Sequence, residues 1–74
     1  MKLKEYKLGD ITREVWSGDI VSDCEFLMKL KNGRLLFYDH LAKVFRSAYY
    51  EVFENELILN GWDCCENIKP LLKL

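Results

Sequence analysis

The sequence predicts a small α+β domain in which an antiparallel sheet of four or five strands carries one short helix. Three observations lead there. Two apolar runs, Phe26-Leu27-Met28-Lys29-Leu30-Lys31 and Arg34-Leu35-Leu36-Phe37-Tyr38, meet at Asn32-Gly33, a dipeptide suited to the positive-φ positions of a tight hairpin turn. A second pair of runs, Tyr49-Tyr50-Glu51-Val52-Phe53 and Glu56-Leu57-Ile58-Leu59, meets at Glu54-Asn55, where Asn tolerates the left-handed conformation. Between the hairpins, Leu41, Val44, Phe45 and Ala48 fall at i, i+3, i+4 and i+7, one apolar face of a short helix. A small β-barrel is the alternative architecture, formed if the strands curl around the core.

The elements follow in order. Residues 1–8 are ambiguous: the alternation of Lys2, Lys4, Tyr6 and Leu8 permits a strand, but the other face mixes Met1 and Leu3 with Glu5 and Lys7; Gly9-Asp10 reads as a turn. Ile11-Thr12-Arg13-Glu14-Val15-Trp16 is β-branched and aromatic enough for a strand, ended by Ser17-Gly18-Asp19. Ile20-Val21 begins the next strand, with a bulge or short loop expected at Ser22-Asp23. A two-residue turn at Asn32-Gly33 sets Leu30 opposite Leu35, Met28 opposite Phe37 and Phe26 opposite Asp39. That register gathers an apolar face and leaves a mixed one, with Lys31 opposite Arg34, Lys29 opposite Leu36 and Leu27 opposite Tyr38.

Asp39 is placed to cap the helix expected over about 40–48, because its carboxylate accepts hydrogen bonds from free amides at a helix start. Eight or nine residues cannot hold a helix alone, so it packs on the sheet. The Glu54-Asn55 turn sets Val52 against Leu57 and Tyr50 against Leu59. Asp63-Cys64-Cys65-Glu66 has the spacing of a capping box, which predicts a short helix over 64–69 stopped near Pro70. Leu71, Leu72 and Leu74 are expected across a sheet edge.

Seventy-four residues form one domain, 1–74, with 50% hydrophobic and 31% charged residues, a globular rather than a disordered composition. So short a chain makes a thin core, which two Trp, four Tyr and four Phe help to fill. The formal charge is −1, so no net field favours nucleic acid. Charge is unevenly placed: Lys2, Lys4 and Lys7 make the beginning basic, and Glu51, Glu54, Glu56, Asp63 and Glu66 make the later part acidic. No apolar run approaches the roughly 20 residues that span a bilayer. Met1–Tyr6 has no hydrophobic segment of signal-peptide type, and the chain is expected to be cytoplasmic.

Cys24, Cys64 and Cys65 are odd in number and have no framework spacing, so they are expected as reduced thiols. Together with His40 they supply zinc-type ligands, but structural zinc sites space their paired cysteines by two or more residues. No metal or other cofactor is expected. A cysteine nucleophile served by Asp39 and His40 would need a base or a positive local field beside the thiol, and no strand-to-helix elbow flanks any cysteine. No enzymatic activity is expected.

Surplus aromatic side chains point instead to binding. Trp16, Tyr49, Tyr50, Phe53 and Trp62, with Ile58, exceed what one small core can take, and aromatic residues left outside are typical interface anchors. These positions are the candidate protein-binding residues; a homodimer would use the same surplus. The alternative is a nucleic-acid-binding module on the mixed hairpin face, through Lys29, Lys31, Arg34 and Tyr38.

The Lys31-Asn32-Gly33-Arg34-Leu35-Leu36-Phe37 turn, the short helix after it, and Val52-Phe53-Glu54-Asn55-Glu56-Leu57-Ile58-Leu59 resemble, in size and layout, the short accessory proteins encoded by bacteriophages and mobile elements. The resemblance covers about half the chain. It implies a non-enzymatic factor or inhibitor that binds a host protein, such as a defence or nucleic-acid-processing complex; host-defence inhibitors, CRISPR inhibitors among them, are often this small. It assigns no site residue.

Overall fold

A computed structural model describes residues 6–67 and Lys69, and it is built from strands. They are β1 (Ile11–Trp16), β2 (Ile20–Lys29), β3 (Leu35–Asp39), β4 (Val44–Phe53) and β5 (Glu56–Cys65). They form one antiparallel meander in the order β1-β2-β3-β4-β5. The sheet curls: Trp16 on β1 meets Trp62 on β5 edge to face, ring centroids 5.2 Å apart, although these strands lie at opposite margins of the sheet. The result is a half-barrel. The expected α+β class is thereby overturned, and the β-barrel alternative is the one that fits.

The helix expected over 40–48 is absent because its first turn closes at once. The Asp39 carboxylate accepts the Leu41 and Ala42 amides, and its carbonyl accepts the Lys43 amide. That is a helix-start pattern, but Lys43 has φ +57°, which breaks a right-handed helix and reverses the chain into β4. From Val44 the run is β-branched and aromatic, and pairing with β3 claims it. The helix expected over 64–69 is overturned at its start, since Cys64 and Cys65 belong to β5. Residue 68 and the leucines at 71, 72 and 74 lie outside the described residues, as do residues 1–5.

The Asn32-Gly33 hairpin forms, with a different register. Leu30 and Arg34 flank a three-residue loop, and only Gly33 takes positive φ (+90°). The extra loop residue pairs Lys29 with Leu35 and Met28 with Leu36. A bulge between Phe26 and Met28 then shifts the ladder again, so that Phe26 faces Phe37 and Cys24 faces Asp39. The expected pairs Leu30/Leu35, Met28/Phe37 and Phe26/Asp39 are therefore all displaced. The bulge expected at Ser22-Asp23 is absent too: both pair regularly, with Glu14 and Arg13.

The core on the concave face is Cys24, Phe26, Leu35 and Phe37, with Tyr6, Trp16, Tyr50, Leu59 and Trp62 packed around it. Tyr6 reaches it because Gly9 (φ +92°) turns the preceding segment back, held by the Gly9 amide on the Phe26 carbonyl. Its ring then stacks on Phe26 and meets Phe37 edge to face.

At the Glu54-Asn55 turn both residues take positive φ, +50° and +66°, and Val52 pairs with Leu57 and Tyr50 with Leu59. Farther along, the β4–β5 ladder shifts register between Ser47 and Tyr49. Gly61 sits in this irregularity at φ +64°, and a Cβ added there would run into the Tyr49 ring. Gly61→Ala is expected to destabilise the fold by about 1–3 kcal/mol, the range for a strained backbone position, and to displace Tyr49. Urea unfolding measures the first effect, and the Tyr49 ring resonances report the second.

Candidate functional site

β3 pairs with β4 only as far as Leu35 opposite Ala48. β4 and β5 continue past that point, paired with each other through Tyr49/Asn60, Glu51/Ile58 and Phe53/Glu56. Tyr49–Asn60 is thus a two-stranded ribbon beyond the first residue of β3, with no other strand beside it among the described residues. Five residues per strand reach about 16 Å at the usual rise.

The ribbon combines apolar side chains with acids. Val52 is 60% exposed, Phe53 59%, Tyr49 40% and Ile58 37%. Glu51, Glu54 and Glu56 are exposed beside them. From Ser47 to Asn67 the chain holds five acids and no Lys or Arg, although the whole protein is only −1. Residues directly opposed in an antiparallel pair share a face with Cβ atoms about 4.5–5.5 Å apart. Phe53 therefore lies beside Glu56, and Ile58 beside Glu51, whose carboxylate accepts a bond from Asn60 Nδ2.

The ribbon's base is fastened from both faces. Tyr50 and Leu59 join the core; burial first, and then Tyr6 beside it, push the Tyr50 phenol up to about 12. On the other side Arg34 donates to Ser47 Oγ (3.0 Å), the Ser47 carbonyl (2.9 Å) and the Gly61 carbonyl. Its guanidinium also lies 3.5 Å from Asp63 and 5.5 Å from the centre of the Tyr49 ring.

The expected protein-binding residues divide accordingly. Tyr49 and Phe53 lie exposed on the ribbon, and Tyr50 anchors it. Trp16 and Trp62 are half-buried in the core: Trp62 packs on Phe37, and Trp16 carries Arg46 over its ring at 4.2 Å. The expected nucleic-acid residues are not brought together. Arg34 is bound to β4 and β5. Tyr38 packs between His40 and Phe45 on the face opposite Leu35, the pairing partner of Lys29. Lys29 and Lys31 are exposed.

The most concentrated polar chemistry lies at the other end of the half-barrel. Asp39 has no exposure to solvent. Its Oδ1 accepts the Leu41 and Ala42 amides at 2.9 and 3.0 Å; its Oδ2 accepts Ser22 Oγ at 3.0 Å and Arg46 Nε at 2.7 Å. Ser22 Oγ in turn accepts Trp16 Nε1. Burial alone raises the Asp39 pKa, but the Ala42 amide, Arg46, Ser22 and the Leu41 amide outweigh it and hold the carboxyl below its usual range. Glu14, paired with Ser22 across the β1–β2 ladder, is raised by burial, against the Thr12 hydroxyl that lowers it. Two carboxyls pushed apart are a pattern of acid–base sites. Here Asp39 is sealed and both oxygens are saturated, so no substrate atom reaches it. The circuit is a fastening.

Three further groupings are weaker still. Cys64 and Cys65, consecutive in β5, point to opposite faces, and no cluster of three His, Cys, Asp or Glu suited to a metal occurs among the described residues. An open cleft of about 340 Å³ is lined by Arg13, Val21, Ser22, Asp23, His40 and Leu41. Its polar groups are occupied: Arg13 with Asp23 at 3.1 Å, and His40 Nε2 with Glu25 at 2.9 Å. No helix among the described residues is long and apolar enough to cross a membrane.

Asp39→Ala is expected to cost about 3–5 kcal/mol, as removing one partner of a buried ion pair does. In the wild type, folding lowers the Asp39 pKa. Its contribution is complete above the unfolded value of about 3.9 and is lost as pH falls through the lower folded value. Urea midpoints from pH 7 to 2 check both statements: the acid-side loss of stability shrinks in the variant. Thiol labelling is expected to rank the cysteines. Burial first, eased by Ser22 and reinforced by Asp39 and Glu14, pushes Cys24 to about 11, so it reacts only on unfolding, whereas exposed Cys64 reacts in the native protein. Compared with known proteins, the chain matches no family, no curated protein and no solved structure, and its functional reading rests on this geometry.

Proposed function

We propose that the chain is a non-enzymatic binding protein of the cytoplasm that acts by occupying a partner protein through the β4–β5 ribbon. This is the mode of a phage or mobile-element accessory factor or inhibitor directed at a host complex. The observation that carries the reading is the exposure of Val52 and Phe53, 60% and 59%, on a ribbon outside the span of β3. A two-stranded hairpin is marginal in water, and large apolar side chains on one are costly unless something covers them. Six of the other nine aromatic residues, Tyr6, Trp16, Phe26, Phe37, Tyr50 and Trp62, belong to the core or pack against it, whereas Phe53 stays exposed. Nucleic acid fits this surface poorly, because the ribbon has acids and no bases.

Tagged protein incubated with bacterial lysate, with and without nuclease, tests the reading against a Val52→Ser, Phe53→Ser variant. Both positions are exposed, so the variant is expected to fold, which circular dichroism checks. Trp16 and Trp62 are unsuitable for this purpose, since their removal opens the core. A discrete protein retained after nuclease and lost in the variant is the expected result. Capture that vanishes with nuclease, or no capture at all, contradicts it.

A further inference from the structure

The chain binds its own arginines in a recurring way. Arg46 lies over the Trp16 ring at 4.2 Å with Asp39 at 2.7 Å. Arg34 lies 5.5 Å from the Tyr49 ring centre with Asp63 at 3.5 Å. Each guanidinium sits against an aromatic ring and is met by a carboxylate, using the planar cation's two recognition modes together. The ribbon repeats these ingredients without an arginine. Phe53, 59% exposed, is directly opposed to exposed Glu56, and the next pair on that face sets Ile58 beside Glu51. Glu54 stands at the turn between them. No Lys or Arg occurs from Ser47 to Asn67 to neutralise these acids internally.

We propose that the outer face of the ribbon, centred on Phe53 and Glu56, is a docking surface for an arginine-bearing segment of a partner protein. This inference rests on the protein-binding reading above and specifies its chemistry. An arginine stacks on the Phe53 ring and pairs with Glu56, while Glu51 and Glu54 supply a field that attracts cations and rejects acidic chains. Ile58, in the next pair on that face, takes the partner's apolar side chains. Lysine is a poorer occupant, since a compact ammonium makes no planar stack.

Fluorescence anisotropy with three labelled eight-residue peptides tests this, each alternating leucine with arginine, lysine or glutamine. The arginine peptide is expected to bind more tightly than the lysine peptide, and the glutamine peptide weakest of all. Phe53→Ser and Glu56→Gln are each expected to weaken the arginine peptide by about tenfold, the size of one lost charge-assisted or stacking contact. Asp19→Asn, a charge change in the distant β1–β2 turn, is expected to leave binding unchanged, and circular dichroism confirms that each variant folds. Equal binding of the arginine and glutamine peptides would overturn the arginine assignment and leave the protein-binding reading standing. No peptide binding, or binding that Phe53→Ser and Glu56→Gln do not alter, would also overturn it, while lysate capture decides the broader reading separately. Preference for a labelled DNA duplex over all three peptides would overturn both.

Discussion

A carboxylate with no solvent exposure organises the described half-barrel. Asp39 ends β3, and through its two oxygens it holds the turn to β4, the β2 residue Ser22 and the β4 residue Arg46. Ser22 accepts from Trp16, and Arg46 covers the same indole, so the circuit closes through β1. Desolvating such a charge is costly, and four donors offset the cost. A buried ion pair of this kind is weak as a source of net stability, yet removing one member is severe. Its physical effect is therefore positional. It fixes where β3 stops, forces the reversal at Lys43 and draws β1 toward the open side, where Trp16 finds Trp62.

The start of β3 at Leu35, the end away from Asp39, determines what is left over. Five residues of β3 cannot cover ten of β4, so the β4–β5 hairpin continues alone. Arg34, Tyr49 and Gly61 form the joint between the braced frame and this ribbon. The guanidinium takes up the Ser47 and Gly61 carbonyls where the ladder is irregular, and the missing Cβ of Gly61 admits the Tyr49 ring. One face of the molecule is thus held by buried polar bonds and aromatic packing. The ribbon instead presents acids and apolar groups whose ordinary partners would be cations and apolar groups of another chain.

Strand content was largely legible. β1 matches its β-branched run, and the second hairpin follows from Glu54-Asn55 and the alternation around it. The helical period of Leu41, Val44, Phe45 and Ala48 misleads because the stretch from Val44 is also β-branched and aromatic enough for a strand. Asp39 caps one turn in the same way that it caps a helix, so the local signal does not tell the two apart. The first hairpin was misregistered because Asn32-Gly33 also serves a three-residue loop, and the bulge after Phe26 has no mark in composition. Arg34 looked like a free base because its acceptors on Ser47 and Gly61 are distant in sequence. Trp16 and Trp62 looked superfluous because only the curl of the sheet brings them together. The acidity of the later chain was visible from the start. That it lies on an unsupported ribbon depends on the length of β3, a property of pairing rather than of any single segment.

The division between frame and ribbon is the central claim, and residue-resolved amide hydrogen exchange under native conditions tests it most directly. The Leu41 and Ala42 amides lie in a surface turn and are held by the Asp39 side chain. They are expected to exchange as slowly as the paired amides of β2 and β3, through global unfolding. Amides around Val52 to Ile58 are expected to exchange much faster, by local opening of the ribbon. Fast exchange at Leu41 and Ala42, or ribbon amides as protected as those of β3, would contradict the account.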